Sequence, residues 1–81
     1  MRGLDGRVAI VTGGSTLIGQ AVVRRLHGDG MSVAIADLDA PPAEALVAEL
    51  GDRALFTATD ITDDAQLEAC VAATADRFGG V

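Results

Sequence analysis

The sequence contains no lysine, asparagine, tyrosine or tryptophan, and it has only two phenylalanines. We therefore expect a core of valine, leucine, isoleucine and alanine rather than of aromatic rings. All six basic residues are arginines, and the formal net charge is −6 at pH 7. An acidic surface repels nucleic-acid phosphates and anionic lipid headgroups, so we expect no nucleic-acid partner and no membrane partner.

Cysteine and long apolar runs are also scarce. Cys70 is the single cysteine, which excludes an intrachain disulfide and argues against a cysteine-based zinc site, so no metal is predicted. Cys70 falls in a helical pattern and is predicted to be a small packing residue. No run approaches the ~20 apolar residues of a membrane span, and the first residues lack a secretory apolar core. The expected location is the cytoplasm.

Apolar runs alternate with helical patterns along the 81 residues. Consecutive apolar residues predict strands over 7–12, 32–36 and 53–58, each covered on both faces as in a parallel sheet. Helical spacing predicts helices over about 18–29, then from the Pro41-Pro42 turn to Leu50, and from an N-cap at Thr62 to about Phe78. The predicted buried positions are Ile18, Val22, Arg25 and Leu26 in the first helix, Ala43, Leu46, Val47 and Leu50 in the second, and Leu67, Val71, Thr74 or Ala75, and Phe78 in the third.

Short connections between these elements predict an α/β domain with βαβαβα order and right-handed crossovers. This is half of a doubly wound fold, a three-layer αβα Rossmann-like arrangement around a parallel sheet. Gly79 and Gly80 are expected to end the third helix, and Val81 is expected to begin a fourth strand. We therefore expect residues 1–81 to form a dinucleotide-binding segment that is incomplete at its C-terminal end.

The turn between the first strand and the first helix is rich in glycine. A strand, a glycine turn and a helix in this order aim free backbone N–H groups at one spot, where the helix dipole also favours negative charge. The pattern therefore predicts a phosphate or pyrophosphate site, and the alternative is a tight turn without a ligand. The turn reads Thr12-Gly13-Gly14-Ser15-Thr16-Leu17-Ile18-Gly19.

Two acids follow the next two strands at the same predicted edge of the sheet. Asp37 ends the second strand, where a carboxylate can accept hydrogen bonds from both hydroxyls of an adenosine ribose. It would repel a 2′-phosphate, and the neighbouring Thr16 and Leu38 are not basic, so NAD is favoured over NADP. Asp60 follows the third strand and could face the adenine. The alternatives are a solvated acid for Asp37 and a turn or cap residue for Asp60.

Together these features resemble the N-terminal part of a short-chain dehydrogenase/reductase. The resemblance implies a Rossmann fold and hydride transfer between a nicotinamide cofactor and an alcohol or carbonyl. It also implies that a full-length relative is a homo-oligomer. It is carried by residues 4–14, Ile18-Gly19, Asp37, Asp60-Ile61-Thr62 and residues 77–81. It places Gly13 and Gly19 at the pyrophosphate, Ile18 beside it, Asp37 on the ribose, and Asp60 and Ile61 at the adenine. The predicted cofactor-binding residues are Gly13, Ser15, Thr16, Leu17, Ile18, Gly19, Asp37, Asp60 and Ile61.

The sequence departs from the family pattern in two ways. Position 17, where the family commonly has a glycine, holds a leucine whose side chain could obstruct the pyrophosphate. The family's catalytic Tyr-x-x-x-Lys pair and asparagine have no counterpart, because this sequence contains none of these residue types. No catalytic residue is therefore predicted within the 81 residues.

Two other classes of function remain open. The first is a non-catalytic dinucleotide-binding module, either a nucleotide sensor or an interaction subunit. The second is an S-adenosylmethionine methyltransferase, which also places an acid after strand two. That family usually ends strand one in an acid, where this chain has Val11-Thr12.

Overall fold

The computed structural model describes residues 6–79 and confirms the predicted βαβαβα order. The expectations for residues 1–5, for Gly80 and for a fourth strand at Val81 lie outside the described residues. Strands and helices begin and end close to the predicted positions. They are β1 (Val8–Thr12), α1 (Leu17–Gly28), β2 (Ser32–Asp37), α2 (Ala40–Leu50), β3 (Ala54–Ala58) and α3 (Asp64–Phe78).

The three strands form one parallel sheet with β2 between β1 and β3. In the register, Ile10 lies beside Ala34, and Ala34 lies beside Leu55. Because all three strands run the same way, the residues that follow Thr12, Asp37 and Ala58 meet at one edge. This is the carboxyl edge of the sheet, where ligands bind in open α/β folds.

Helices cover both faces of the sheet, which confirms the three-layer arrangement. On one face, Val23 of α1 and Leu46 of α2 pack against Val33 and Ile35 of β2, with Phe56 of β3 at the margin. Side chains alternate along a strand, so Thr57 points to the opposite face. There its hydroxyl lies 3.0 Å from the Sγ of Cys70 in α3. Cys70 is buried, as the sequence predicts.

The predicted buried face of α1 is wrong by one residue. Ile18 is 81% exposed and Val22 is also exposed, whereas Gly19 and Val23 are buried and Leu26 is partly buried. The prediction followed the largest apolar side chains. In the structure, α1 instead faces the sheet with Gly19, which has no side chain. Gly19 packs directly on the glycine turn. Arg25, predicted at the margin of the buried face, is exposed and pairs with Asp29.

The start and the buried face of α3 also differ from prediction. Asp63, not Thr62, is the N-cap, and its carboxylate accepts the N–H groups of Ala65 and Gln66 at 3.0 and 3.2 Å. In α3 the buried positions are Cys70 and Thr74, and Val71 is exposed.

The burial of β1 is lower than predicted. Residues 8–11 of β1 are only partly buried, because β1 lies at an edge of the described sheet while β2 lies inside it.

Candidate functional site

The turn between β1 and α1 is built around Gly13. Its φ of +68° is a left-handed conformation that glycine adopts without strain. The N–H of Gly13 donates to the carbonyl of Ala36 in β2 at 3.1 Å. The carbonyl of Gly13 accepts the N–H and the hydroxyl of Thr16 at 3.2 and 2.9 Å. The turn is therefore fixed to the end of β2 and to the start of α1.

Two more glycines allow α1 and β2 to approach this turn closely. A Cβ at Gly19 would collide with the carbonyl of Gly13 and lie 2.7 Å from the Cα of Gly14. A Cβ at Gly14 would lie 2.7 Å from the Ile35 side chain. Only glycine fits at either position without a shift of the backbone or the core. Close packing therefore accounts for Gly14 and Gly19 even without a bound ligand.

The first turn of α1 presents two backbone donors that no described residue accepts. Thr16 is the N-cap, and its hydroxyl accepts the N–H of Gly19 at 3.0 Å, while its carbonyl accepts the N–H of Gln20 at 2.7 Å. The N–H groups of Leu17 and Ile18 find no hydrogen-bond acceptor among residues 6–79. They lie at the positive end of the helix dipole, where an anionic group is favoured.

The side chains of Leu17 and Ile18 are 87% and 81% exposed. Both stand at the N-terminus of α1 beside the two free N–H groups, and neither packs in the described core. Leu17 thus places an apolar side chain at the position where the resemblance implies a glycine.

Asp37, the last residue of β2, accepts four hydrogen bonds through its carboxylate. Its Oδ2 accepts the N–H of Ser15 at 3.2 Å and also the hydroxyl of Ser15. Its Oδ1 accepts the N–H groups of Leu38 and Asp39 at 2.7 and 3.2 Å. The Ser15 hydroxyl is the largest cause that lowers the pKa of the Asp37 carboxyl below its ordinary value of 3.8, and burial opposes it only in part.

Asp60 lies across from Asp37, in the turn after β3. Its Oδ1 accepts the N–H and the hydroxyl of Thr62 at 3.0 and 2.6 Å, and these bonds lower the pKa of the Asp60 carboxyl. The N–H of Asp60 donates to the Oε1 of Gln66 at 2.9 Å. Asp60 therefore organises its own turn, as the turn alternative predicts, and it also stands at the edge where Asp37 ends.

These turns enclose an open cleft of about 180 Å³ at the carboxyl edge. The structure brings four of the predicted residues together in its lining, while Ser15 lies behind Asp37, Gly19 is buried under the turn, and Thr16, Leu17 and Ile18 stand at the start of α1. Ala36, Leu38 and Thr59 line the cleft although the sequence did not single them out as binding residues. The complete lining is Gly13, Ala36, Asp37, Leu38, Thr59, Asp60 and Ile61.

Leu38 and Ile61 give the cleft two apolar flanks. They are 66% and 51% exposed, and each directly follows an aspartate, Asp37 at the end of β2 and Asp60 in the turn after β3. This repeated Asp-apolar pair was a signal for Leu38 in the sequence. Exposed apolar groups beside carboxylates suit a ligand with a flat apolar part and a polar sugar.

Within residues 6–79, no group of three or more histidine, cysteine, aspartate or glutamate side chains could hold a metal ion. In the same range, no helix has the length and apolar character needed to cross a bilayer.

Comparison with known proteins gives close matches over nearly the whole chain. A sorbitol dehydrogenase of Cereibacter sphaeroides is 41% identical over 78 residues, which are 96% of this chain and 30% of the relative. A 3-ketoacyl-(acyl-carrier-protein) reductase of Brucella melitensis, solved in complex with NADH, superposes with a TM-score of 0.91 at 38% identity. That superposition covers 96% of this chain and 32% of the reductase.

A second solved structure, the 3-hydroxyacyl-CoA dehydrogenase type-2 of Mycobacterium avium, gives a TM-score of 0.87 at 42% identity, over 95% of this chain and 31% of that one. The chain thus spans about a third of the length of these relatives. The family model described as short chain dehydrogenase matches residues 7–81. The chain belongs to the short-chain dehydrogenase/reductase family.

Proposed function

We propose that this chain is the NAD(H)-binding part of an oxidoreductase that transfers hydride between the nicotinamide and an alcohol or carbonyl substrate. The observation that carries the proposal is the meeting of Asp37 with the glycine turn in one cleft at the carboxyl edge. Family membership supports it, and so does the NADH complex of the Brucella melitensis reductase, which shares this fold.

The residues at the edge fit the parts of a dinucleotide in order. The free N–H groups of Leu17 and Ile18 would hold the pyrophosphate, and Gly13 would let it approach the backbone. Asp37 would accept the ribose hydroxyls, with Ser15 behind it and Thr16 capping the helix. Asp60 and Ile61 would lie at the adenine. When bound, the nicotinamide supplies the carbon that accepts or donates hydride.

Preference for NAD over NADP follows from the charges at the cleft. The Asp37 carboxylate would repel a 2′-phosphate, and no basic residue of the described chain lines the cleft. Two arginines of the described chain have partners away from the cleft. Arg24 pairs with Glu49, and Arg53 donates to the carbonyls of His27 and Met31 at the opposite edge of the sheet.

This chain's own share of the reaction is binding, since none of its 81 residues is assigned a catalytic role. For the whole protein we propose a homo-oligomer in the cytoplasm, without nucleic-acid or membrane partners. The net charge of −6 supports the last two points. A non-catalytic dinucleotide-binding module is the second candidate, favoured by the absence of tyrosine, lysine and asparagine.

Calorimetric titration of the 81-residue chain tests the proposal against its rivals. We expect NAD to bind, NADP to bind more weakly, and S-adenosylmethionine to give no saturable heat. Tighter binding of S-adenosylmethionine than of NAD, or no binding of either dinucleotide, would overturn it.

A further inference from the structure

Ser15 makes an unusual double contact with Asp37. Its backbone N–H and its hydroxyl both donate to the same oxygen, Oδ2, from a position 22 residues earlier in the chain. Ser15 is only 8% exposed, so water has little access to its hydroxyl. Buried polar side chains are hydrogen-bonded, and for the Ser15 hydroxyl the acceptor is this carboxylate oxygen.

The surroundings fix both members of this pair. The side chain of Gln20 donates to the carbonyl of Ser15 at 2.8 Å, and Gly14 packs against Ile35 with no space for a Cβ. On the other side, two backbone N–H groups after β2 occupy Oδ1 of Asp37. The bonds from Ser15 fall on the other carboxylate oxygen, Oδ2.

Hydrogen bonds rather than ion pairs stabilise this charge. The described turns around Asp37 contribute two further acids, Asp39 after β2 and Asp60 after β3, and the glycine turn from Gly13 to Gly19 contributes no titratable side chain. Among the described residues, the Ser15 hydroxyl is the side-chain donor to the Asp37 carboxylate, and three backbone N–H groups donate beside it.

We propose that Ser15 is a positioning residue that acts through Asp37: its hydroxyl holds the carboxylate in its orientation at the cleft, and the ribose selectivity of the site depends on that bond. The selectivity part of this inference rests on the proposed function. Asp37 remains the group that meets the ribose, and Ser15 determines its orientation.

The sign of the pH effect follows from the bond. A hydroxyl that donates to a carboxylate favours the ionised form, so its removal raises the pKa of Asp37 toward the ordinary value. In the wild type, ribose binding through Asp37 is present above the lowered pKa and is lost as the pH falls through it. In Ser15→Ala the same loss begins at a higher pH.

Carbon-detected NMR titration of the aspartate carboxyl groups in the unliganded 81-residue chain tests the first part. Ser15→Ala is expected to shift the Asp37 titration upward, and Ser15→Thr, which keeps the hydroxyl, is expected to restore it. The matched control is Thr62→Ala, which removes a hydroxyl from Asp60 and should move the Asp60 titration alone. An Asp37 titration that is the same in Ser15→Ala and in the wild type would refute the inference.

A double-mutant cycle tests the second part. The ratio of NAD to NADP affinity is measured by calorimetry for the wild type, Ser15→Ala, Asp37→Ala and the double variant. Ser15→Ala is expected to lower the ratio about 2- to 10-fold, the range of one net hydrogen bond, and to have no further effect once Asp37 is alanine. A Ser15 effect that persists beside Asp37→Ala would show direct ligand contact and would contradict a positioning role.

The two experiments also separate this inference from the proposed function. If no variant and no wild-type chain binds a dinucleotide, the proposed function fails. The carboxyl titration then still decides whether the Ser15 hydroxyl bonds to the Asp37 carboxylate.

Discussion

Asp37 combines two features that a sugar-binding carboxylate needs, a fixed orientation and a stable charge. Four hydrogen bonds from the glycine turn and from the turn after β2 provide both. Leu38 beside it is apolar and exposed, and among the described residues the cleft is lined by the two carboxylates of Asp37 and Asp60 and by no cation. At the level of single residues, we expect the charge of Asp37 to favour NAD over NADP.

We expect the double replacement Asp37→Ala with Leu38→Arg to shift the preference toward NADP. The carboxylate that repels the 2′-phosphate is removed, and a guanidinium that attracts it is added. The expected change is about 1–3 kcal/mol, the scale of a hydrogen bond to a charged group. Calorimetry with both cofactors measures it, and equal weakening of both would show that Asp37 does not contact the ribose.

Leu17 is expected to limit cofactor affinity. Its side chain is 87% exposed at the N-terminus of α1, so Leu17→Gly removes bulk near the free N–H groups without opening a cavity in the core. The opposing effect is the added backbone freedom of glycine, about 1 kcal/mol. We expect net tightening of NAD binding by calorimetry. A loss of affinity would mean that the leucine contributes a useful contact to the ligand.

The sequence located Asp37 and Asp60 correctly because both follow apolar strands, and parallel strands bring their ends to one edge. It did not reveal the Ser15–Asp37 bonds, since they depend on how closely the glycine turn approaches β2. Leu38 was missed for a related reason. The Asp-apolar pair that marks Leu38 in the sequence becomes informative only when the fold places it beside the cleft.

At the scale of elements, α1 is positioned by the absence of a side chain at one point. Gly19 lies against Gly13 and Gly14, and this contact determines which face of α1 is buried. Sequence periodicity predicted the helix and its end near Gly28 but selected the wrong face, because Ile18 and Val22 have the larger apolar side chains. The predicted N-cap of α3 was wrong by one residue. Thr62 and Asp63 are both good N-cap residues, and only the observed hydrogen bonds distinguish them.

Gly19→Ala tests this contact directly. The added Cβ would collide with the backbone of the glycine turn, so the free energy of unfolding should fall by about 1–3 kcal/mol, the usual cost of overpacking. Gly28→Ala is the matched control on the same helix, because a Cβ there meets nothing within 4 Å. Urea denaturation measures both, and equal stability of the two variants would contradict the close packing of α1 on the turn.

At the scale of the whole molecule, the described sheet has three strands with β1 at one edge. Within residues 6–79, no strand pairs with the outer side of β1, whose apolar residues 8–11 are only partly buried. An apolar strand edge with unpaired N–H and C=O groups readily pairs with another chain. The parallel direction of the strands was predictable from the alternation of strands and helices, because short crossover connections favour parallel neighbours.

We therefore expect the polypeptide of residues 1–81 to self-associate reversibly. Its sedimentation coefficient should rise with protein concentration, as edge pairing through β1 buries apolar surface between copies. Sedimentation velocity over a concentration series measures this. A compact monomer at every concentration, with a sharp cooperative melt, would contradict the expectation and favour an independent binding module.

The proposed function places the dinucleotide at the carboxyl edge of the sheet. Amide NMR of the 81-residue chain titrated with NAD can locate the ligand, because every non-proline residue after the first contributes a backbone amide signal. We expect perturbed amides at residues 13–19, at Asp37 and Leu38, and at Asp60 and Ile61. Perturbations that instead cluster at the opposite edge, around Gly30, Arg53 and the start of β1, would contradict it.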